Sequence, residues 1–154
     1  MTVIEALLEA WDRQCRIVTT LAHRVDETNK HAKAAHNGRR LDEQLAHIHE
    51  ARKFHLAELD QTAADSLPEP PEDLAEIKQA LQASGRAVKD ALSQALQEDR
   101  QQSGGFDHPV FFLEHLICHE GWHIGAIVQA LTEAGQEPPE PWQEAKIWGV
   151  WRTD

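Results

Sequence analysis

Apolar residues recur every three or four positions through four long blocks of this sequence, and proline- or glycine-bearing segments separate the blocks. That period belongs to an amphipathic helix, and no stretch alternates as a half-buried strand does. The first block carries Ile4, Leu7, Leu8, Trp11, Cys15, Val18, Leu21 and Val25. Thr2 and Glu5 give it a capping box, and the helix is expected to end near Thr28. The polar run "NKHAKAAHNGRR", with its Asn37-Gly38 pair, reads as a connection. A second helix is predicted over residues 41–62, with Leu45, Ile48, Leu56 and Leu59 on one stripe, and "SLPEPPED" ends it. A third, over residues 72–98, carries Leu74, Ile77, Leu81, Val88, Leu92 and Leu96. "DRQQSGGFDHP" follows, sharpest at Gly104-Gly105. Asp107 can cap a fourth helix with Pro109 in its first turn. That helix should run to about Ala134 and stop at Gly135. Four such helices joined by polar links predict an all-α chain, a four-helix bundle in a single domain over residues 1–154, closed by a Trp-rich tail.

The net charge of −11 argues against a nucleic-acid partner, because phosphate contacts need clustered Lys and Arg. No apolar run reaches the roughly 20 residues of a membrane span. The start, "MTVIEALLEAWDR", is amphipathic and acidic and does not read as a signal peptide. Cys15 and Cys118 form no CxxC and no disulfide framework, which fits a reducing, cytoplasmic setting.

The chain holds ten histidines, and three of them, His115, His119 and His123, stand four apart on the fourth helix. Residues four apart advance about 400° and lie roughly 6 Å from one another. Two imidazoles so placed can chelate one divalent ion. The outer two of the three are about 12 Å apart along the axis, so either His115–His119 or His119–His123 is the pair. A further ligand has to come from another helix, and "LAHIHEARKFH" on the second offers His47, His49 and His55. Imidazoles favour zinc, nickel, iron or copper over magnesium or calcium.

His119, Glu120 and His123 also spell H-E-x-x-H, the zinc-protease pattern in which Glu is the general base. The extended metzincin form fails, since position 126 is Ala and position 129 is Gln. No strand is expected to hold a peptide, so the protease reading ranks last. Glu120 remains a candidate for reaching a metal-bound water, and His115, one turn away, for acid–base work. Cys118 lies about 100° off the histidine face and is not read as a nucleophile. Trp142, Trp148 and Trp151 could wall a pocket at one end of the bundle, though simple packing of the tail is preferred.

"LAHIHEAR" and "LEHLICHEGWHIGAI" together resemble the DinB/YfiT-like family of bacterial metal-binding four-helix bundles. The resemblance covers nearly the whole chain, including the long link between helices two and three and the Trp-containing tail. It implies one ligand on helix two and an H-x-x-x-H pair on helix four, here His47, His119 and His123. The apolar stripe of helix two favours His49 instead, which stays as the alternative. Ile124 and Ala126 stand where the family usually has Arg and Gln. Three ligands with an open position imply one divalent transition metal, zinc or nickel foremost, of the catalytic kind. The resemblance further implies a homodimer, for which the apolar face of helix one with Trp11 is available. It implies a small-molecule substrate, handled by a metal-dependent hydrolase or by a transferase using a low-molecular-weight thiol such as bacillithiol or mycothiol. A non-catalytic metal-binding or stress-response protein is the other class.

Overall fold

Thr2 starts the first helix, α1 (Val3–Ala22), as the sequence implies. Its hydroxyl accepts the Glu5 N–H, and the Glu5 carboxylate accepts the Thr2 N–H at 2.6 Å. The computed structural model describes residues 1–35, 38–101 and 104–152; Asn37, half of the expected Asn37-Gly38 break, lies outside them. The helix stops six residues before the expected end, although Val25 is fully buried. The Asp26 carboxylate takes the Thr28 N–H and hydroxyl, and this local bonding gives the backbone an alternative to another helical turn.

The second helix, α2 (Leu41–Leu59), is also shorter than its apolar stripe suggested. Asp60 turns to an extended φ of −151° and caps a new short helix, α3 (Gln61–Ser66), by accepting the Ala63 N–H. Asp73 caps α4 (Leu74–Gln97) through the Ala75 and Glu76 amides. The cap of α5 (Pro109–Glu133) is His108 rather than Asp107: the His108 Nδ1 accepts the Val110 N–H at 3.1 Å. Gly135, at φ +71°, ends that helix in the left-handed conformation that glycine adopts freely. The tail folds as α6 (Glu140–Gln143), one π-helical turn over Glu144–Trp148 and a 3-10 turn over Gly149–Trp151. The chain is thus all-helical, with four long helices and two short ones among the described residues and no strand there. Among the described residues no helix is long and apolar enough to cross a membrane.

Helix α1 packs on α4 and α5, and so does α2, which sets α1 and α2 on opposite corners. Lys89 reaches Asp12 while Lys78 reaches the Val25 carbonyl, so α1 and α4 are antiparallel. Arg52 donates to the Leu81 carbonyl and Arg100 to the Leu59 carbonyl, so α2 and α4 run the same way. Two parallel neighbours need a connection that carries the chain back along the molecule, and residues 60–73, with α3, make that return.

The apolar interior is in two parts. One gathers around Val25, Leu45, Ile77 and Ile127, the other around Trp11, Leu56, Leu92 and Phe112. Between them lies a buried polar layer of Gln14, Arg52, Ser84 and Glu120, each at most 2% exposed. Arg52 grips Glu120 with two hydrogen bonds, at 2.6 and 3.0 Å, and Gln14 donates a third to the same carboxylate. A buried charge pair is tolerated only when its remaining polar atoms are also satisfied, and the Leu81 carbonyl takes another guanidinium N–H. Gly85 makes room for it: a Cβ there would lie 3.2 Å from Arg52 Nη1 and 3.0 Å from Cys15 Sγ. Trp11, expected to help form a dimer face, is instead wholly inside, donating its indole N–H to the Gly85 carbonyl.

Candidate metal centre

The antiparallel packing of α2 against α5 decides which histidines meet. His47, His119 and His123 come together, each offering one ring nitrogen within 4.8 Å of the other two. The i, i+4 pair of α5 brings the two Nε2 atoms of His119 and His123 to 3.2 Å. The His47 ring lies 4.9 Å from that of His123 and 5.4 Å from that of His119, centre to centre. His49, the alternative from the apolar stripe, is elsewhere. It is fully buried on the side of the return connection, with Nε2 at 2.9 Å from the Pro68 carbonyl. Helix α2 has partners on two sides, α4 and α5, and a single stripe could not say which of them the histidine served.

The surroundings orient the rings. The Nδ1 of His123 faces the buried Gln44 Oε1 at 2.5 Å, and the Nδ1 of His47 faces the Glu50 carboxylate at 3.0 Å. With Nδ1 protonated and donating, Nε2 presents its lone pair, the tautomer that metal-binding histidines adopt. The His119 Nδ1 is buried without a hydrogen-bond partner among the described residues. Burial, then the neighbouring His119 and His47, push the His123 imidazole down to about 4, and burial also lowers that of His119. Both rings are therefore neutral at pH 7 and need shed no proton to ligate.

Glu120 is placed differently from a proton acceptor. Its carboxylate is buried and taken up by Arg52 and Gln14, so its position supports a structural task, not the base of an H-E-x-x-H protease. Sequence reasoning passed over Arg52 and Gln14. The signal was present: Arg52 falls midway between Ile48 and Leu56 on an otherwise apolar stripe, and Gln14 between Trp11 and Val18.

His115 does not join the three. Its Nε2 faces His55 Nε2 at 3.2 Å, one turn further along, and its ring stacks at 6.2 Å from that of His119. Cys118 is exposed, and burial pushes the Cys15 thiol up to about 11, so Cys15 is a poor nucleophile. Trp148 and Trp151 line an apolar groove of about 370 Å³ with Ile17, Gly121, Ile124 and Ile147. Gly121 and Ile124 belong to the side of α5 turned from the histidines, so the tryptophans do not wall the metal centre. Trp142 packs on the core, with the Arg24 guanidinium 4.7 Å above its ring.

Compared with known proteins, residues 1–148 match the family model described as "DinB family". No curated protein and no solved structure gives a significant match.

Proposed function

The chain belongs to the DinB family, and from that premise we propose that His47, His119 and His123 hold one divalent transition ion, zinc or nickel, in a metal-dependent enzyme acting on a small molecule. The observation that carries this is the meeting of three imidazole nitrogens from two helices within 4.8 Å, with two of the rings oriented by Gln44 and Glu50. Histidine nitrogens lie about 2.0–2.1 Å from zinc, and three protein ligands leave a coordination position free. An ion bound there supplies Lewis acidity toward a water or a thiol. Gln44 and Glu50 fix the ring tautomers, while the neutral His119 and His123 add no charge that would repel a cation. Hydrolysis and thiol transfer both fit such a site. To His115, one turn away and exposed, we assign the acid–base role, because Glu120 is committed to Arg52.

That commitment also favours the second reading, a metal-binding protein without catalysis, since it removes the base nearest the ligands in sequence. Two measurements separate the readings. Metal analysis of the purified chain should give one tightly held equivalent, lost in His119→Ala and in His47→Ala but kept in His49→Ala. Metal-loaded protein should then hydrolyse activated esters or bind a low-molecular-weight thiol beyond a His123→Ala control. Metal binding with neither activity would establish the non-catalytic reading, and full metal retention in both ligand variants would remove the site.

A further inference from the structure

The segment "HIHEARKFHLAE" contains H-x-x-E twice, as His47–Glu50 and His55–Glu58, eight residues apart. On α5 the histidines continue one turn beyond the triad, to His115. The fold sets these extensions opposite each other. His55 Nε2 and His115 Nε2 stand 3.2 Å apart, the same separation as between the His119 and His123 Nε2 atoms. We propose that His55 and His115 form a second cation site, binding a divalent transition ion through two imidazoles with solvent completing its shell.

Distance supports the assignment. Two nitrogens bound to one tetrahedral ion at about 2.0–2.1 Å are separated by about 3.3–3.4 Å. A neutral N–H···N hydrogen bond holds the rings equally close before an ion binds, and the rest of His55 sets its direction, with His55 Nε2 accepting from His115. Its Nδ1 is buried without a hydrogen-bond partner among the described residues, and the Glu58 carboxylate stands 3.7 Å from it. If Nε2 carried the ring proton toward His115, the bare Nδ1 lone pair would face a carboxylate. A proton on Nδ1 instead points at Glu58 and leaves the Nε2 lone pair facing outward. At 3.7 Å the contact is longer than the hydrogen bond of a carboxylate–histidine–metal arrangement, which His47 makes with Glu50 at 3.0 Å, but it has the same polarity. Phe106 covers the pair, its ring 5.8 Å from that of His55 and 5.4 Å from that of His115. Glu58 also accepts the Gly105 N–H, which ties the site to the connection before α5.

The second ion is separate from the first. Eight residues along α2 span about 12 Å, far beyond the roughly 3.5–4 Å of a two-metal centre that shares a bridging ligand. With two protein ligands against three, it binds more weakly. While bound, it takes the His115 lone pair out of proton transfer.

The test is zinc titration with calorimetry and equilibrium dialysis on the full chain. The variants are His115→Gln, His55→Gln and, for the triad, His123→Ala. His115 is exposed, so His115→Gln should fold, and its circular dichroism checks this. The native chain is expected to bind two equivalents, the second at least tenfold weaker. His115→Gln and His55→Gln should each lose the weaker equivalent and keep the tighter, while His123→Ala does the reverse. A single native equivalent that His123→Ala abolishes, or a second that survives in both His115→Gln and His55→Gln, overturns the proposal. Neither result touches the triad, whose own failure would appear as loss of the tighter equivalent from the native titration.

Discussion

Glu120 and Arg52 form a buried ion pair in which each charge is the other's main compensation. Removing one partner of such a pair typically costs about 3–5 kcal/mol, because the other charge is stranded. Glu120→Gln is therefore expected to lower unfolding stability by about that amount in a denaturant titration; a catalytic base at the position would show lost activity with unchanged stability. His123 supplies a pH prediction. Its imidazole is held near about 4 in the folded chain against 6.5 ordinarily, by burial first and then by its histidine neighbours. Between those values the unfolded chain binds more protons than the folded one, so stability is complete above 6.5 and falls as the pH drops toward 4. The lowered imidazoles of His119 and His55 act in the same direction. Metal-free protein should show a falling denaturation midpoint across that window, and His123→Asn should flatten part of the fall. An unaltered profile in the variant would mean that His123 is not the group responsible.

At the scale of the helix, Gly85 is where α4 lets its neighbours approach. Alanine would gain up to about 1 kcal/mol of helix propensity. Its Cβ would press on Cys15 Sγ at 3.0 Å and on Arg52 Nη1 at 3.2 Å, with Arg52 held by Glu120 and Leu81. Overpacking of this kind costs about 1–3 kcal/mol, so Gly85→Ala should destabilise on balance. Adding Cys15→Ala should recover part of the loss, and strict additivity in the double variant would count against the contact. The four long helices were legible because each has a stripe of period 3.6 bounded by a cap or a glycine. Their ends were less so. Val25 continues the apolar stripe of α1 from a turn, and Leu59 gives no sign that Asp60 will begin a new helix. Spacing alone put His119 in a pair with either His115 or His123, and the resemblance chose His123. His47 was not legible this way either, because a local stripe cannot say which of two neighbours a residue meets, and the resemblance to a family supplied what periodicity lacked. The burial of Glu120 was not legible because its partners, Arg52 and Gln14, come from two other helices.

For the molecule as a whole, we expect a homodimer, formed without Trp11. Trp122 is 81% exposed and Phe111 53% on α5, and Trp148 is 55% exposed in the tail, so large apolar area remains outside the fold. Light scattering should give twice the 17.4 kDa of one chain, and Trp122→Lys should weaken the association. A native mass of one chain at micromolar concentration would refute the dimer. The polar layer between the two apolar clusters has one more consequence, which concerns register. Arg52 can meet Glu120 at only one longitudinal setting of α2 against α5. A slip of α5 by one turn, about 5.4 Å, would set Leu116 or Ile124 against the guanidinium and strand its charge. The same slip would change which α5 histidines face His47: toward Leu116 they would be His115 and His119, and toward Ile124 His123 would stand there with Ile127. The ion pair thus acts as a pin that aligns the histidines, at a cost in stability that an apolar layer would avoid. Arg52→Leu together with Glu120→Leu should accordingly stay folded, with stability equal to or above the native value. Its metal affinity should fall as the pinned alignment gives way to several, visible as multiple sets of histidine resonances in the metal-free chain; a single set with native affinity would show that packing alone aligns the helices.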